Sequence, residues 1–352
     1  MNRRTAVSLL VPAIAQAQLK LPRTIRVAMI GLQGHPGEIL GPAARMPDIE
    51  ICALHEPDAG ARNSALRRGP ASKAKVYENW IEMLDREKPD IAAIGNPADE
   101  RARAVLESTK RGIPWIAEKP IANTLAELKE IREAVAKQRV GCSMLLPMRF
   151  SPQFLALKQI VDSGALGEVA QISAQKSYKA GNRAAWMKSR KTYGGTIHWI
   201  GIHMIDLMRW TSGREFTEVM SMQGQVGAGP GIGEMENTTA TMFRLDNKGV
   251  GTLHMDYYRP DTAPTHGDDR LRLAGPKGVA EYMASTGVTL IEAGKPAQVI
   301  TDLPAAGSVF LDFLRALYMG GTQALTRADV FRTTEIAILA RDSAEAGRAM
   351  KL

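Results

Sequence analysis

Two short stretches hold most of the residues in this chain that could do chemistry. The first is Glu118-Lys119-Pro120, which follows an apolar run over residues 113–117. Thr124 and Glu127 then form the pattern of a capping box, which predicts that a helix begins there. A buried strand therefore ends on a carboxylate and an ammonium group. In an open α/β sheet, ligands bind at that edge.

The second stretch runs from Gly194 to Asp206 and contains His198, Trp199 and His203. Histidine suits acid–base catalysis because its ordinary pKa lies near neutrality. On a helix, His203 and Asp206 are three residues apart and therefore share a face. Each stretch alone also fits a structural role, as a solvated Glu–Lys turn or as a histidine satisfied at a helix start.

A glycine-rich loop, from Gly31 to Gly37, follows the first predicted strand at residues 25–30. Glycines there let the backbone turn tightly and approach a pyrophosphate at the N-terminus of the next helix. The spacing departs from the usual G-x-G-x-x-G, because the second glycine of that pattern is replaced by glutamine and the third is displaced to 37. We expect dinucleotide contacts from Gly31, Gln33, Gly34 and His35.

The second predicted strand, residues 49–54, leads into Glu56. An acidic residue about 20 residues beyond the glycine loop commonly binds the ribose hydroxyls of a dinucleotide. Its carboxylate would repel the 2′-phosphate of NADP. The sequence therefore favours NAD, with NADP as the alternative cofactor, and Arg62 is the residue that would reverse this preference.

Short apolar strands alternate with amphipathic helices as far as residue 146. This alternation predicts an N-terminal Rossmann domain over residues 22–147, an α/β fold with a doubly wound parallel sheet. Two of its strands end at Asn96-Pro97 and at Glu118-Lys119. We expect these four residues to line the cofactor crevice.

Composition and charge exclude several other classes of protein. The chain has 352 residues, of which 45% are hydrophobic, so it is long enough for two globular domains. The net charge is +8, but no basic stripe is interleaved with aromatic residues, so nucleic-acid binding is not expected. Cys52 and Cys142 lie in apolar runs without the spacing of a metal site, which predicts buried thiols and no metal.

The N-terminal residues have the pattern of an export signal. Arg3 and Arg4 precede an apolar run and then Ala15-Gln16-Ala17, an A-x-A cleavage pattern. The paired arginines favour the twin-arginine route, with the general secretory route as the alternative. Residues 1–17 are therefore predicted to be a signal peptide, too short to span a membrane. The mature protein is expected to be periplasmic or secreted, without a membrane span, or cytoplasmic if the signal is not functional.

In their order and spacing these motifs resemble the glucose–fructose oxidoreductase, inositol dehydrogenase and MocA family (Gfo/Idh/MocA), and an exported subgroup of it. The resemblance extends over nearly the whole mature chain, through Met148-Arg149-Phe150 and later glycine motifs. It implies an NAD(P)-dependent oxidoreductase that acts on CH–OH groups of a carbohydrate or polyol. It also implies an α+β domain over residues 148–352, with an open, mainly antiparallel sheet, C-terminal helices at the junction, and a homodimer or homotetramer.

The same resemblance assigns catalytic roles to Lys119 and His203, and in some relatives the peptide before Pro120 is cis. One position departs from the family, which often has an aspartate four residues before the histidine, where this chain has Trp199. Either His198 takes over part of the acid–base role, or Lys119 and His203 act alone. Further catalytic or substrate contacts are expected from His198, Trp199, Asp206, Arg149, Tyr178 and Trp186.

Three functions remain open on the sequence. The first is the oxidoreductase. The second is a glycoside hydrolase or lyase that oxidises its sugar transiently and reduces it again with one bound cofactor. Export favours this option because free nicotinamide nucleotides are scarce outside the cytoplasm. The third is a catalytically silent sugar-binding protein, an option that Trp199 keeps open.

Overall fold

The structure, a computed structural model, describes residues 19–67, 69–227 and 232–352. The predicted signal peptide, residues 1–17, lies outside the described part of the chain. Within that part, no helix is both long and apolar enough to cross a membrane. The described residues build two sheets, one from each half of the chain.

The first sheet is a six-stranded parallel sheet with helices between its strands. The strands are β1 (Ile25–Ile30), β2 (Ile49–His55), β3 (Lys75–Val76), β4 (Ile91–Ile94), β5 (Trp115–Ala117) and β6 (Cys142–Met144). The helices are α1 (Gly37–Arg45), α2 (Ala59–Arg67), α3 (Trp80–Glu87), α4 (Ala98–Lys110) and α5 (Leu125–Gln138). The strand order is β3-β2-β1-β4-β5-β6, which confirms the doubly wound sheet.

The central strands of this sheet, β4 and β5, are buried along their whole length. Continuous apolar strands are typical of parallel sheets that are covered on both faces. The strand order reverses between β1 and β4, so the loops after these two strands diverge and leave a crevice. The capping box predicted at Thr124 is present, and α5 begins directly after it, as predicted.

The second sheet has nine strands and helices against one face. The strands are β7 (Gln171–Lys179), β8 (Phe216–Gly224), β9 (Thr238–Leu245), β10 (Val250–Arg259), β11 (Gly267–Gly275), β12 (Gly278–Met283), β13 (Gly287–Glu292), β14 (Gln298–Ile300) and β15 (Met350–Lys351). Their order is β14-β13-β12-β11-β7-β10-β9-β8-β15. The neighbours β7 and β10 are parallel and the other pairs are antiparallel, which confirms the predicted open, mainly antiparallel sheet.

The helices of this half are α6 (Pro152–Asp162), α7 (Arg190–Tyr193), α8 (Ile202–Ser212), α9 (Val309–Tyr318) and α10 (Arg327–Ala346). A π-helical segment, Ile197–Gly201, leads directly into α8. The C-terminal helix α10 begins directly after Thr326, which forms a second capping box with Asp329. Helix α10 packs against α5, α8 and β8, at the junction of the two halves.

A buried ion pair fixes α8 at this junction. Arg149 lies in the 3₁₀ turn Pro147–Phe150 and donates two hydrogen bonds to Asp206, of 2.6 and 2.7 Å. It also donates to the Ala324 carbonyl at 2.9 Å and to Asp329, in the first turn of α10, at 3.2 Å. Because both members are almost fully buried, losing either would leave an uncompensated charge. The pair therefore sets the position of the helix that carries His203.

Candidate functional site

Glycines open the crevice at the end of β1. Gly31 has a φ of +82°, and a Cβ there would lie 2.7 Å from the backbone nitrogen of Asn96. Gly34 has a φ of +75°, and a Cβ there would meet the Glu118 carboxylate. Side chains are excluded at both positions by conformation and by space. Gln33 joins the same loop to β4 through its backbone N–H, which donates to Gly95.

Asn96 is 4% exposed, and neither atom of its side-chain amide has a partner within the described chain. Buried amides are normally hydrogen-bonded, so an unpartnered one beside a glycine loop fits contact with a ligand. The next residue, Pro97, precedes the first turn of α4. Loop, amide and helix N-terminus together fit a dinucleotide.

Glu56 lies at the end of β2 with its carboxylate beside the glycine loop. The carboxylate accepts hydrogen bonds from the backbone of Leu32 at 2.7 Å and of Asp58 at 2.8 Å. Arg62 donates to the Glu56 carbonyl at 2.8 Å. Glu56, which would bind the ribose hydroxyls of NAD, and Arg62, which would favour the 2′-phosphate of NADP, are therefore neighbours.

Glu118 connects the glycine loop to the end of β5. Its buried carboxylate accepts from the backbone N–H of His35 at 2.9 Å and contacts Nδ1 of the same residue. Burial alone would raise the pKa of Glu118, but the charges of His35, Lys119 and Arg101 lower it to about 2. The site therefore contains a permanent carboxylate 3.7 Å from the Lys119 ammonium.

Lys119 is 1% exposed and follows β5 directly. Its Nζ donates to the Trp199 carbonyl at 2.8 Å and lies 3.5 Å from the centroid of the Trp199 ring. Burial lowers the pKa of Lys119 to about 7, against the attraction of Glu118 and together with repulsion from Arg101 and Lys176. The Lys119–Pro120 peptide is cis, as predicted.

His203 lies in the first turn of α8 and is 6% exposed. Its ring is 5.3 Å from that of His35 and nearly perpendicular to it, and its buried Nδ1 has no hydrogen-bond partner among the described residues. Burial and the charges of Lys119, Lys176 and His35 hold the pKa of His203 well below its ordinary value. The imidazole is therefore neutral near pH 7 and available as a proton acceptor.

Trp199 occupies the position at which the family often has an aspartate. It lies in the π-helical segment, a feature common at functional sites, with its ring 5.0 Å from Trp186 and 5.2 Å from Tyr193. The buried indole N–H of Trp186 has no partner in the described chain. An aromatic cluster with one free donor therefore takes the place of a carboxylate beside Lys119.

His198 has partners different from those of His203. Its Nε2 lies 3.0 Å from the Ala122 carbonyl and 3.2 Å from the side-chain oxygen of Asn123. Burial and the charge of Arg341 hold the pKa of His198 well below its ordinary value. Asp206, predicted on the same face as His203, is bound to Arg149 and Thr333 instead. Catalytic roles for His198 and Asp206 stay predictions.

Two charged residues of the site were missed by the sequence analysis. Arg101 of α4 is fully buried and donates to the carbonyls of Asn96 at 2.6 Å and Pro120 at 2.9 Å, which joins the ends of β4 and β5. Lys176 of β7 is also fully buried and donates to Asp269 at 3.0 Å. The only signal for Lys176 was its inward place in the alternation of β7, since Tyr178 two residues later points to the same side.

Both cysteines are buried and unpaired, as predicted. Burial raises the pKa of each thiol to about 11, so both are poor nucleophiles. Among the described residues, no group of three or more His, Cys, Asp or Glu side chains could hold a metal ion.

Comparison with known proteins agrees with this geometry. The model of the oxidoreductase family with an NAD-binding Rossmann fold matches residues 25–145, and the GFO/IDH/MocA C-terminal domain model matches residues 154–281. A solved structure of a putative oxidoreductase from Thermotoga maritima is 36% identical with a TM-score of 0.86, and the match covers 93% of this chain and 100% of that chain. The N-terminal half is therefore an NAD-binding Rossmann domain.

Curated relatives match over shorter stretches. The rhizopine catabolism protein MocA of Rhizobium meliloti is 27% identical over 54% of this chain and 58% of its own length. The inositol 2-dehydrogenase of Rubrobacter xylanophilus is 28% identical over 50% of this chain and 48% of its own length. The chain thus spans about half the length of these relatives.

Proposed function

Since the chain belongs to the Gfo/Idh/MocA family of NAD-binding oxidoreductases, we propose that it transfers a hydride between nicotinamide and a hydroxyl-bearing carbon of a sugar or polyol. One observation carries this proposal. Two buried groups that can exchange protons lie close to the glycine loop: the His203 ring is 5.3 Å from that of His35, and the Lys119 ammonium is 3.7 Å from Glu118, which contacts His35. The similarity to an inositol dehydrogenase supports a polyhydroxylated substrate.

Bound NAD supplies an acceptor for a hydride from carbon. Removal of the hydroxyl proton falls to the chain itself, and a neutral His203 imidazole is suited to accept it. Lys119, when protonated, stabilises the negative charge that develops on the substrate oxygen. In this dry site the interaction is stronger than in water, because both groups are buried.

The structure supports roles for the residues that hold the cofactor. Asn96 offers an unpartnered amide, and Gly31 and Gly34 leave room for a close approach. Glu56, at the end of β2, would bind the ribose hydroxyls of the cofactor. Lys119 and Glu118 follow the strand β5 that ends at the same crevice.

The direct test is to release and identify the nucleotide carried by the purified protein, and then to screen sugars and polyols for a change in nicotinamide absorbance. We expect NAD or NADH, and a substrate-dependent absorbance change. Cleavage of an aryl glycoside without added cofactor would instead show the hydrolase or lyase. Failure to bind any nicotinamide nucleotide would contradict the proposal and leave a sugar-binding protein.

A further inference from the structure

A cavity in the second half of the chain lies outside the cofactor crevice. A cavity of about 340 Å³, here called the outer cavity, opens along β7 and β11. Its volume is within the range of roughly 300–1,000 Å³ that is typical of small-molecule sites. Phe154 is buried at its inner wall, while Thr265 and His266 are exposed at its mouth. The other lining residues are Met148, Ser151, Gln153, Tyr178, Gly267, Asp269, Tyr282 and Ala284.

Lys176 connects the outer cavity to the catalytic residues. Its buried Nζ contacts three lining residues, at 3.0 Å from Asp269, 3.4 Å from the Met148 sulfur and 4.9 Å from the centroid of the Tyr178 ring. The same ammonium charge acts on Lys119 and His203. The strand that carries Lys176, β7, packs against α8, the helix that carries His203. The outer cavity and the proposed reaction site are therefore neighbours on the same face of the second sheet.

The chemistry of the lining favours a neutral, polyhydroxylated ligand. Tyr178 and Tyr282 bring aromatic rings to the lining, and the C–H groups of a sugar ring can pack against such rings. The Tyr178 ring also contacts the His266 ring, whose centroid is 5.1 Å away. Ser151, Gln153 and Thr265 offer hydroxyl and amide groups for hydrogen bonds. A phosphate or carboxylate is disfavoured, because the Lys176 ammonium at the inner end is already paired with Asp269 of the lining.

We propose that the outer cavity binds the second ring of a neutral disaccharide or glycoside whose first ring reacts beside Lys119 and His203. This inference rests on the proposed function. It assigns a substrate class, because a free monosaccharide would leave the outer cavity empty. The mouth at Thr265 and His266 leaves space for the second ring to reach solvent.

The test is to fill the outer cavity at its exposed turn. Ala284 is exposed and lines the cavity, so Ala284→Trp places a large ring there without disturbing buried groups. The matched control is Ala293→Trp, at an exposed turn that is not part of the lining. The probes are maltose, cellobiose, lactose and trehalose, each measured beside its component monosaccharides with NAD as the acceptor.

We expect Ala284→Trp to lower kcat/KM for the best disaccharide about tenfold, the loss that follows from one aromatic contact, and to leave the monosaccharide within about twofold. Ala293→Trp should change neither value. An equal change for both sugars, or none for either, would overturn the inference while leaving the oxidoreductase intact.

A second readout does not depend on activity. Calorimetry measures binding of the same disaccharides to the NAD-loaded protein and to its two variants. Binding that Ala284→Trp abolishes and Ala293→Trp preserves supports the outer cavity, even if no sugar is oxidised and the proposed function fails. Equal binding by all three proteins, or no binding by the unmodified protein, contradicts it.

Discussion

At the scale of single residues, the site concentrates positive charge where water is excluded. Arg101, Lys119 and Lys176 are all fully or almost fully buried. The charges of Arg101 and Lys176 act on Lys119, and those of Lys119 and Lys176 act on His203. Glu118 is the carboxylate nearest to Lys119. Such clusters lower stability but tune proton affinity, which is the usual trade between stability and activity.

Lys119→Met should therefore stabilise the protein while abolishing turnover. The pKa of Lys119 falls from 10.5 to about 7 on folding because of burial, so the unfolded state binds more protons between those values. The destabilisation is fully present below pH 7 and disappears as the pH rises toward 10.5. We expect a gain on the order of 2–5 kcal/mol at pH 6 and a smaller one at pH 9, measured by denaturant unfolding. A gain that does not depend on pH would contradict this explanation.

His203→Ala should cut turnover by roughly 10²–10⁴, the usual range for the loss of a general base. NAD affinity should change little, because the residue lies in the substrate half. Steady-state kinetics and cofactor titration measure the two effects. The matching variant is His198→Ala, which removes a histidine bonded to the Ala122 backbone. If the His203 variant keeps near-normal turnover and the His198 variant loses it, the proton acceptor is His198.

Glu56→Ser should weaken the preference for NAD over NADP by about tenfold or more, because it removes a charge that repels the 2′-phosphate. It should also weaken NAD binding itself, since the Glu56 carboxylate holds the backbone of Leu32. Calorimetric titration of both cofactors measures the preference. Equal dissociation constants for NAD and NADP in the unmodified protein would refute the role of Glu56.

At the scale of elements, the glycine loop and the ends of β4 and β5 act as one unit. Arg101 joins the two strand ends, and Glu118 joins β5 to the loop through His35. Gly31 allows the loop to pass directly over Asn96. The cofactor crevice is thus shaped by contacts between loops. Local sequence located the glycine loop and the α5 capping box, but not the contacts that join them.

Gly31→Ala should weaken NAD binding by roughly 5- to 30-fold. The added Cβ would lie under 3 Å from the Asn96 backbone, and a left-handed φ costs a non-glycine residue about 1–2 kcal/mol. Gly37→Ala is the control, since a Cβ there meets nothing within 4 Å. Fluorescence titration with NADH measures the affinity of both variants. An equal loss of affinity in the two would contradict the role of the Gly31 backbone.

The sequence predicted elements with strong local signals and missed residues whose roles depend on tertiary contacts. Strand alternation, the glycine loop and the Thr124 capping box were sufficient for the Rossmann half. Arg101 could not be recognised, because charged residues surround it along α4. Lys176 could not be recognised either, because a lysine in a strand is usually solvated. Its partner Asp269 lies in β11, a strand that is far from β7 in the sequence. The direction of the His198 and Asp206 side chains likewise depended on partners far along the chain.

At the scale of the whole molecule, assembly and location are proposals. The outer face of the second sheet exposes Met222 and Met242, which are 65% and 56% exposed and lie on the neighbouring strands β8 and β9. Exposed apolar side chains on a sheet face suit contact with another protein surface. They support the homodimer or homotetramer expected from the sequence.

Replacing Arg3 and Arg4 together by Lys should block export, because the charge is kept while the arginine pair of the predicted signal is lost. Fractionation of the native host should then find uncleaved protein in the cytoplasm. The exported amount should fall to about a tenth of its normal value or less. Lys20→Arg, beyond the predicted cleavage site, serves as the control. Unchanged export of the double variant would exclude the twin-arginine route.

The parallel pairing of β7 with β10 has a consequence for how the protein is made. Residues 180–249 lie between these two strands, and they include α8 and its histidine. Strands so distant in sequence pair late, because the entropy of closing the loop must be lost first. During synthesis, the nucleotide-binding half emerges and folds before β7, the strand that carries Lys176, can pair with β10. We therefore expect the nascent chain to bind its cofactor before it is able to bind a substrate.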